Sequence, residues 1–150
     1  MDKLNTITTQ FGLELSEYQL QQFSRYYEIL VEWNSFMNLT AITEKDEVIV
    51  KHFADSLLLY KYKNLHERAS LIDVGTGAGF PGIPLKIAFP ELRVTLMDSL
   101  NKRLNFLNEV IKELKLEDVE TVHARAEDGG RNPLYREKYD IVVSRAVANL

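Results

Sequence analysis

SLIDVGTGAGFPGIPLKIAFP, residues 70–90, runs a strand-like apolar segment straight into a glycine-rich turn and out into an apolar segment of helical character. A strand, a glycine turn and a helix in that order open a βαβ unit. In a doubly wound sheet, ligands bind beyond the carboxyl ends of the strands. Gly75 and Gly77 supply the positive φ and close backbone approach that such a turn needs, and Gly82 lets helix and strand pack closely. Pro81 or Pro84 suits the first helical turn, where a missing N–H costs nothing. The helix start then offers N–H groups and partial positive charge to an anion.

Which ligand fits depends on the spacing. The dinucleotide fingerprint G-x-G-x-x-G, begun at Gly75, would place its third glycine at position 80, which is Phe80. The pattern present is instead Asp73, Gly75, Gly77, Gly79. A carboxylate two residues before the first glycine repels a pyrophosphate but suits an ammonium group. S-adenosylmethionine carries such an ammonium, for Asp73, and a carboxylate for the turn amides, so this donor is favoured over a dinucleotide. A glycine turn required only for tight packing is the plainer alternative. Asp98 closes the next strand about 20 residues on, where an acidic side chain takes ribose hydroxyls; capping the following helix is its other reading. Ala126 and Glu127, in RAED (125–128), stand where an adenine rim would lie, or form a solvated loop.

Outward from the turn, LIDVG (71–75), RVTLMD (93–98), VETVHA (119–124) and YDIVVS (139–144) read as strands. They alternate with helical segments at 82–89 and 100–116, the latter with an apolar face of Leu100, Leu104, Leu107, Val110, Ile111 and Leu114. That alternation predicts right-handed crossovers and a parallel sheet. Upstream, an amphipathic helix is expected over 16–37, capped by Ser16, with Leu15, Tyr18, Phe23, Tyr26, Tyr27, Leu30 and Trp33 recurring at helical steps. A loop over 34–42 and a second helix opening at Thr43 follow, with Asp46 completing a capping-box variant and Val48, Ile49, Phe53, Leu57 and Leu58 facing inward. The division expected is a helical region at 1–66 packed on an α/β domain at 67–150.

Composition narrows the function class. A net charge of -4 argues against a non-specific nucleic-acid coat but not against an enzyme that visits RNA. Zero cysteines exclude a disulfide framework and thiolate metal sites, and no metal is expected. No apolar run approaches the ~20 residues of a membrane span, so a cytoplasmic protein without a membrane partner is expected. Trp33 and the tyrosines at 26 and 27 suit either base stacking or core packing. Lys102 and Arg103 suit either RNA phosphates or a solvated helix face. His52 and Asp55, three apart, make a local helix pair or a catalytic one.

Six blocks carry a resemblance: NLTAI (38–42), KHFADSLLL (51–59), LIDVGTGAGFPGIPL (71–85), LMDSLNKRLNFL (96–107), ARAED (124–128) and VVSRAVANL (142–150). Together they closely resemble the glucose-inhibited division protein B family, the bacterial small-subunit ribosomal RNA guanine-N7 methyltransferases. The resemblance implies a Rossmann-like class I S-adenosylmethionine-dependent methyltransferase fold with an N-terminal helical cap. It further implies methylation of guanine 527 in the 530 loop of 16S rRNA, presented as RNA or as a small-subunit particle, by a family expected to be monomeric. Carried over by position, Gly75, Phe80, Ala126, Glu127 and Arg145 would bind the donor, with Asp73, Gly77, Gly79 and Asp98 completing the pocket. Arg145, Asn38 and His52 would serve the transfer.

Guanine N7 has a lone pair in the neutral base, so in-line displacement needs alignment and no general base. The fold resembled has seven strands in the order 3-2-1-4-5-7-6, and these residues supply strands 3-2-1-4. A partial chain is therefore expected, with the apolar fourth strand as an open edge through which copies could associate. Two other readings follow: a donor-binding piece without turnover, and a nicotinamide-dependent oxidoreductase, which Asp73 and Phe80 disfavour.

Overall fold

The computed structural model describes residues 1–58, 65, 68–125 and 138–144. Helices α1 (Asp2–Gln10) and α2 (Glu17–Asn34) open the chain, followed by a continuous helical run. That run comprises α3 (Lys45–Val48), a π-helical stretch at Ile49–Ala54, and α4 (Asp55–Leu57). Then β1 (Ser70–Val74), α5 (Gly82–Ala88), β2 (Arg93–Asp98), α6 (Asn101–Glu113), β3 (Val119–His123) and β4 (Ile141–Val143) alternate. Among the described residues the sheet is four-stranded and parallel in the order β3-β2-β1-β4, as the sequence predicts.

The central strand β1 pairs with β2 and β4 at its two edges, and its run Leu71 to Val74 is buried on both faces of the sheet. Alternation then sorts its side chains. Leu71 packs with Val94 and Leu96 of β2 beneath the helices, while Ile72, Val74 and Met97 form a second cluster on the other face. Asp73 shares the helical face with Leu71, in register with Leu96. The larger cluster reaches continuously from Leu4 through α2 and the π-helical stretch to α5 and α6. The N-terminal helices are thus packed on the same core as the sheet.

Local chemistry accounts for the helix ends. Ser16 caps α2 as expected, and the pairing is reciprocal: the Gln19 amide donates to Ser16 Oγ and the Ser16 amide to Gln19 Oε1. Such a box contributes about 1 kcal/mol. The Gln19 side chain also donates to the carbonyls of Ile87 and Ala88, closing the end of α5. Lys86 completes that end, its buried ammonium donating to the carbonyls of Pro90 and Leu92 at 2.7 and 2.5 Å. Burial pushes the Lys86 pKa below the usual lysine value, with nearby acids opposing.

Several expectations need correction. The cap of α3 is Glu44, whose carboxylate accepts from the Glu47 amide, whereas Thr43 gives its carbonyl to the Tyr27 hydroxyl. Three residues expected inside are exposed. Tyr18 sits in the first turn of α2, where Gln19 takes the inward contacts; Leu58 follows the last residue of α4; Leu100 precedes α6 with its side chain turned out. Helix α1 falls within the helical region expected at 1–66, although no helix is delimited there from the sequence; its apolar positions Leu4 and Ile7 pack on the core between threonines.

The start of the β1–β4 pair carries a carboxylate clamp. Asp140 Oδ2 accepts from the Ser70 amide at 2.9 Å and its hydroxyl at 3.2 Å, and Ser70 Oγ accepts from the Asp140 amide. The amide, then the hydroxyl, hold the Asp140 carboxyl below its ordinary 3.8. A depressed folded pKa contributes stability that is complete above the unfolded value and lost as pH falls through the folded one. Asp140→Asn should therefore be less stable than the native chain at pH 7, with the gap closing below pH 3.8. Urea unfolding at both pH values checks this; a gap that does not change with pH would remove the clamp from the argument.

Candidate functional site

The glycine turn leaves the carboxyl end of β1 and is held by carboxylates from two strands. Asp73, fully buried, accepts from the Thr76 hydroxyl at 2.7 Å and the Gly82 amide at 2.9 Å through Oδ2. Asp98, 2% exposed at the end of β2, accepts from the Gly77 amide at 2.8 Å through Oδ2. Its Oδ1 takes the Leu100 amide at 3.0 Å and Arg103 at 3.3 Å. The N-cap of α6 is Leu100, with no side-chain cap, so Asp98 does not cap the helix as the alternative reading has it; its bonds to the Leu100 amide and to Arg103 instead tie the approach to α6 to the turn.

The glycines divide by what surrounds them. Gly77 has φ +60°, and a Cβ built there would meet nothing within 4 Å. Its outer side is open to a ligand. Gly79, at φ +99°, faces the other way: a Cβ would lie 2.7 Å from the Tyr26 hydroxyl. At Gly82 a Cβ would collide with Leu96 and Asp73, so this position serves helix–strand packing, as the sequence suggests.

The start of α5 does not offer the anion site expected of it. The Gly82 amide is bonded to Asp73, Ile83 to the Gly79 carbonyl and Leu85 to the Pro81 carbonyl, and Pro84 has no N–H. The turn folds back onto the helix and occupies its first donors. Within the turn, the Thr76 amide bonds the Met97 carbonyl, and those of Gly79 and Phe80 the Thr76 carbonyl. A donor in this crevice therefore meets the open side of Gly77 and the acidic end of β2, not a bare helix end.

The N-terminal layer braces the turn from outside. Tyr26, buried in the core as the plainer reading has it, donates its hydroxyl to the Ala78 carbonyl at 2.5 Å. The Phe80 ring packs inward, with His52 stacked on it at 4.4 Å and 10° between planes. His52 Nε2 lies 2.9 Å from Thr40 Oγ1, which also accepts from the Ile42 amide. A π-helical turn carries an extra residue per turn and is frequent at functional sites; here it spans His52. Asp55 and Asn38 are exposed, Asn38 two residues from Thr40.

Asp73, Gly75, Gly77, Gly79, Phe80 and Asp98 are thus brought together, with His52 stacked behind Phe80 and Asn38 on the adjoining loop. Ala126, Glu127 and Arg145 lie outside the described residues. Sequence reasoning missed Thr76, Thr40 and Tyr26 as parts of the brace. The T in GTG and the T in NLT were the available signals, since a hydroxyl beside a turn commonly bonds it.

Comparison with known proteins places this geometry. The family model described as rRNA small subunit methyltransferase G matches residues 19–150. A ribosomal RNA small subunit methyltransferase G from Lachnoclostridium phytofermentans is 63% identical over 137 residues, covering 91% of this chain and 57% of that protein. This chain therefore spans less than two thirds of such a relative. Among solved structures, a protein-L-isoaspartate O-methyltransferase aligns with a TM-score of 0.60 at 14% identity, over 95% of this chain and 47% of that one. A putative protein-L-isoaspartate O-methyltransferase from Plasmodium falciparum, in complex with S-adenosyl-L-homocysteine, aligns at 0.55 and 16% identity, over 95% and 71%. At these identities the likeness carries the fold alone. That fold is Rossmann-like, of the class I methyltransferase type.

Proposed function

The chain belongs to the rRNA small subunit methyltransferase G family, and on that premise we propose that it takes part in methyl transfer from S-adenosylmethionine to N7 of guanine 527 in the 530 loop of 16S rRNA. The observation carrying the reading is the open side of Gly77, whose amide is fixed by Asp98 at the carboxyl end of β2. A donor nucleoside needs that combination: backbone it can approach closely, beside a carboxylate able to accept ribose hydroxyls.

The donor, when bound, supplies an electrophilic methyl on a sulfonium. The chain supplies placement. Asp98 lies where it can exchange its bond to Arg103 for a sugar hydroxyl while keeping the Gly77 amide. Asp73 sets a buried negative charge under the turn, which favours a cationic amino group above it. By the family resemblance, Ala126 and Glu127 would complete the adenine side, and Arg145 would orient donor or base. The Thr40–His52–Phe80 contacts couple the loop bearing Asn38 to the donor turn, so base and methyl are held by one connected set of side chains. Nothing in the reaction at N7 asks for a proton acceptor, and positioning accounts for the rate.

Labelled S-adenosylmethionine added to undermethylated small-subunit RNA or particles should yield labelled 7-methylguanosine. Donor binding without label uptake would make this chain a binding piece of the larger protein. Binding of NAD in preference to the methyl donor would overturn the reading of the turn.

A further inference from the structure

The loop between α2 and α3 is pinned at three points yet turns an aromatic ring outward. Asn34 Oδ1 accepts from the amides of Leu39 and Thr40 at 2.8 and 3.0 Å. The Tyr27 hydroxyl donates to the Thr43 carbonyl at 2.7 Å, and Thr40 Oγ1 meets His52. On this fixed loop Phe36 is 67% exposed and Asn38 is exposed. The Phe36 ring rests on Trp33 at 5.3 Å, and Trp33 in turn on Phe106 of α6 at 6.0 Å.

Those contacts also say where the loop stands. Helix α2 runs antiparallel to α6: Gln22 bonds the Leu114 carbonyl, Arg25 pairs with Glu113, and Trp33 meets Phe106. The end of α2 and its loop therefore lie beside the first turns of α6. That is the carboxyl rim of the sheet, where Asp98 and the glycine turn are. Lys102 and Arg103 fall four and three residues before Phe106, within one helical turn of it. Lys102 is exposed and makes no ion pair among the described residues; Arg103 spends one nitrogen on Asp98. Exposed Leu100 adds apolar surface at the start of the same helix.

We propose that this rim is the shelf for the single-stranded RNA segment bearing the target guanine. A base stacks on Phe36, Asn38 takes a base or sugar edge, and Lys102 takes a phosphate. The inference rests on the methyl-transfer reading above and names the surface that reading leaves open. An exposed aromatic face beside unpaired cationic charge is what an unpaired RNA strand needs, since stacking is available from every base and the charge tracks the backbone. The exposed Glu32 at the same helix end tempers the positive field, so stacking is the larger contribution.

A labelled hairpin carrying the 530 loop, titrated by fluorescence anisotropy, tests the shelf, with calorimetric donor titration alongside. Phe36→Ala should weaken RNA binding about tenfold or more, as loss of one base stack does, with donor affinity and Tm unchanged; Phe36→Tyr should restore it. Lys102→Ala should reduce the salt dependence of RNA binding by about one phosphate contact. Unchanged RNA affinity in Phe36→Ala overturns the shelf and leaves the methyl-transfer reading standing. Unchanged RNA affinity with an altered oligomeric state would assign the surface to protein contact, against the proposal. Donor binding with no RNA binding by the unaltered chain would fail the RNA reading itself.

Discussion

Asp73→Asn should fold nearly as well as the native chain and yet bind S-adenosylmethionine about tenfold or more weakly, whereas Asp73→Ala should be close to unfolded. The difference follows from what each atom of the carboxylate does. Oδ2 accepts from both the Thr76 hydroxyl and the Gly82 amide inside a fully buried turn. An asparagine oxygen in that place accepts both bonds, at a cost of about 1 kcal/mol for the weaker neutral acceptor. Alanine leaves two buried donors without a partner at about 1–3 kcal/mol each. Added to the cavity, that approaches the whole stability of an ordinary domain, about 5–15 kcal/mol. The amide does not restore the negative charge. A charge-assisted contact to an ammonium contributes about 1.5–3 kcal/mol, and each 1.4 kcal/mol is tenfold in affinity. Urea unfolding and calorimetric titration of the two variants separate the roles. An Asn variant with native donor affinity would reduce Asp73 to a brace for the turn.

That double role explains which parts of the site were legible in the sequence. The parallel sheet was readable because β1 and β2 are short runs rich in Val, Ile and Leu between turn signals, alternating with helical segments, the pattern of strands buried on both faces. The glycine turn was readable because positive φ at Gly75, Gly77 and Gly79 leaves few other residues for those places. Hidden from the sequence were the bonds that decide between ligand and scaffold. Asp98 was assigned to ribose or to a helix cap, but spacing along one strand cannot reveal that its other oxygen holds the Gly77 amide 21 residues back. The occupied donors of α5 were likewise invisible, since they depend on how the turn folds onto the helix. His52 looked like half of a local pair with Asp55. The π-helical stretch in which it lies changes the angular step per residue, so its contacts with Phe80 and Thr40 could not be read from ordinary 3.6-residue spacing. Leu100, Tyr18 and Leu58 failed at helix ends, where periodicity continues on paper after the packing has stopped.

Gly82→Ala sets two effects of opposite sign against each other, and packing should win. Glycine to alanine in an exposed helix interior stabilises by about 1 kcal/mol, and less in the first turn, where Gly82 directly follows the N-cap Pro81. Against that gain, the new methyl would overlap Leu96 Cδ2 and lie 3.0 Å from Asp73 Oδ2 and 3.2 Å from Asp73 Cβ. Leu96 is fully buried between strand and helix, so its methyl has nowhere to turn. Asp73 is fixed by its bonds to Thr76 and to Gly82 itself. Relief must come from lifting α5 off β1, which stretches the Gly82–Asp73 bond and widens the core beneath. Overpacking of this kind costs about 1–3 kcal/mol, and weakening a buried charge-assisted bond adds about 1 kcal/mol or more. The net loss should be about 2–3 kcal/mol, lowering Tm by roughly 5–10 °C in a chain of this size. Because the same displacement moves the turn, donor affinity should fall with stability. Thermal unfolding with and without donor checks both. A Tm equal to or above that of the native chain would mean that helix and strand are not in the close contact on which the turn depends.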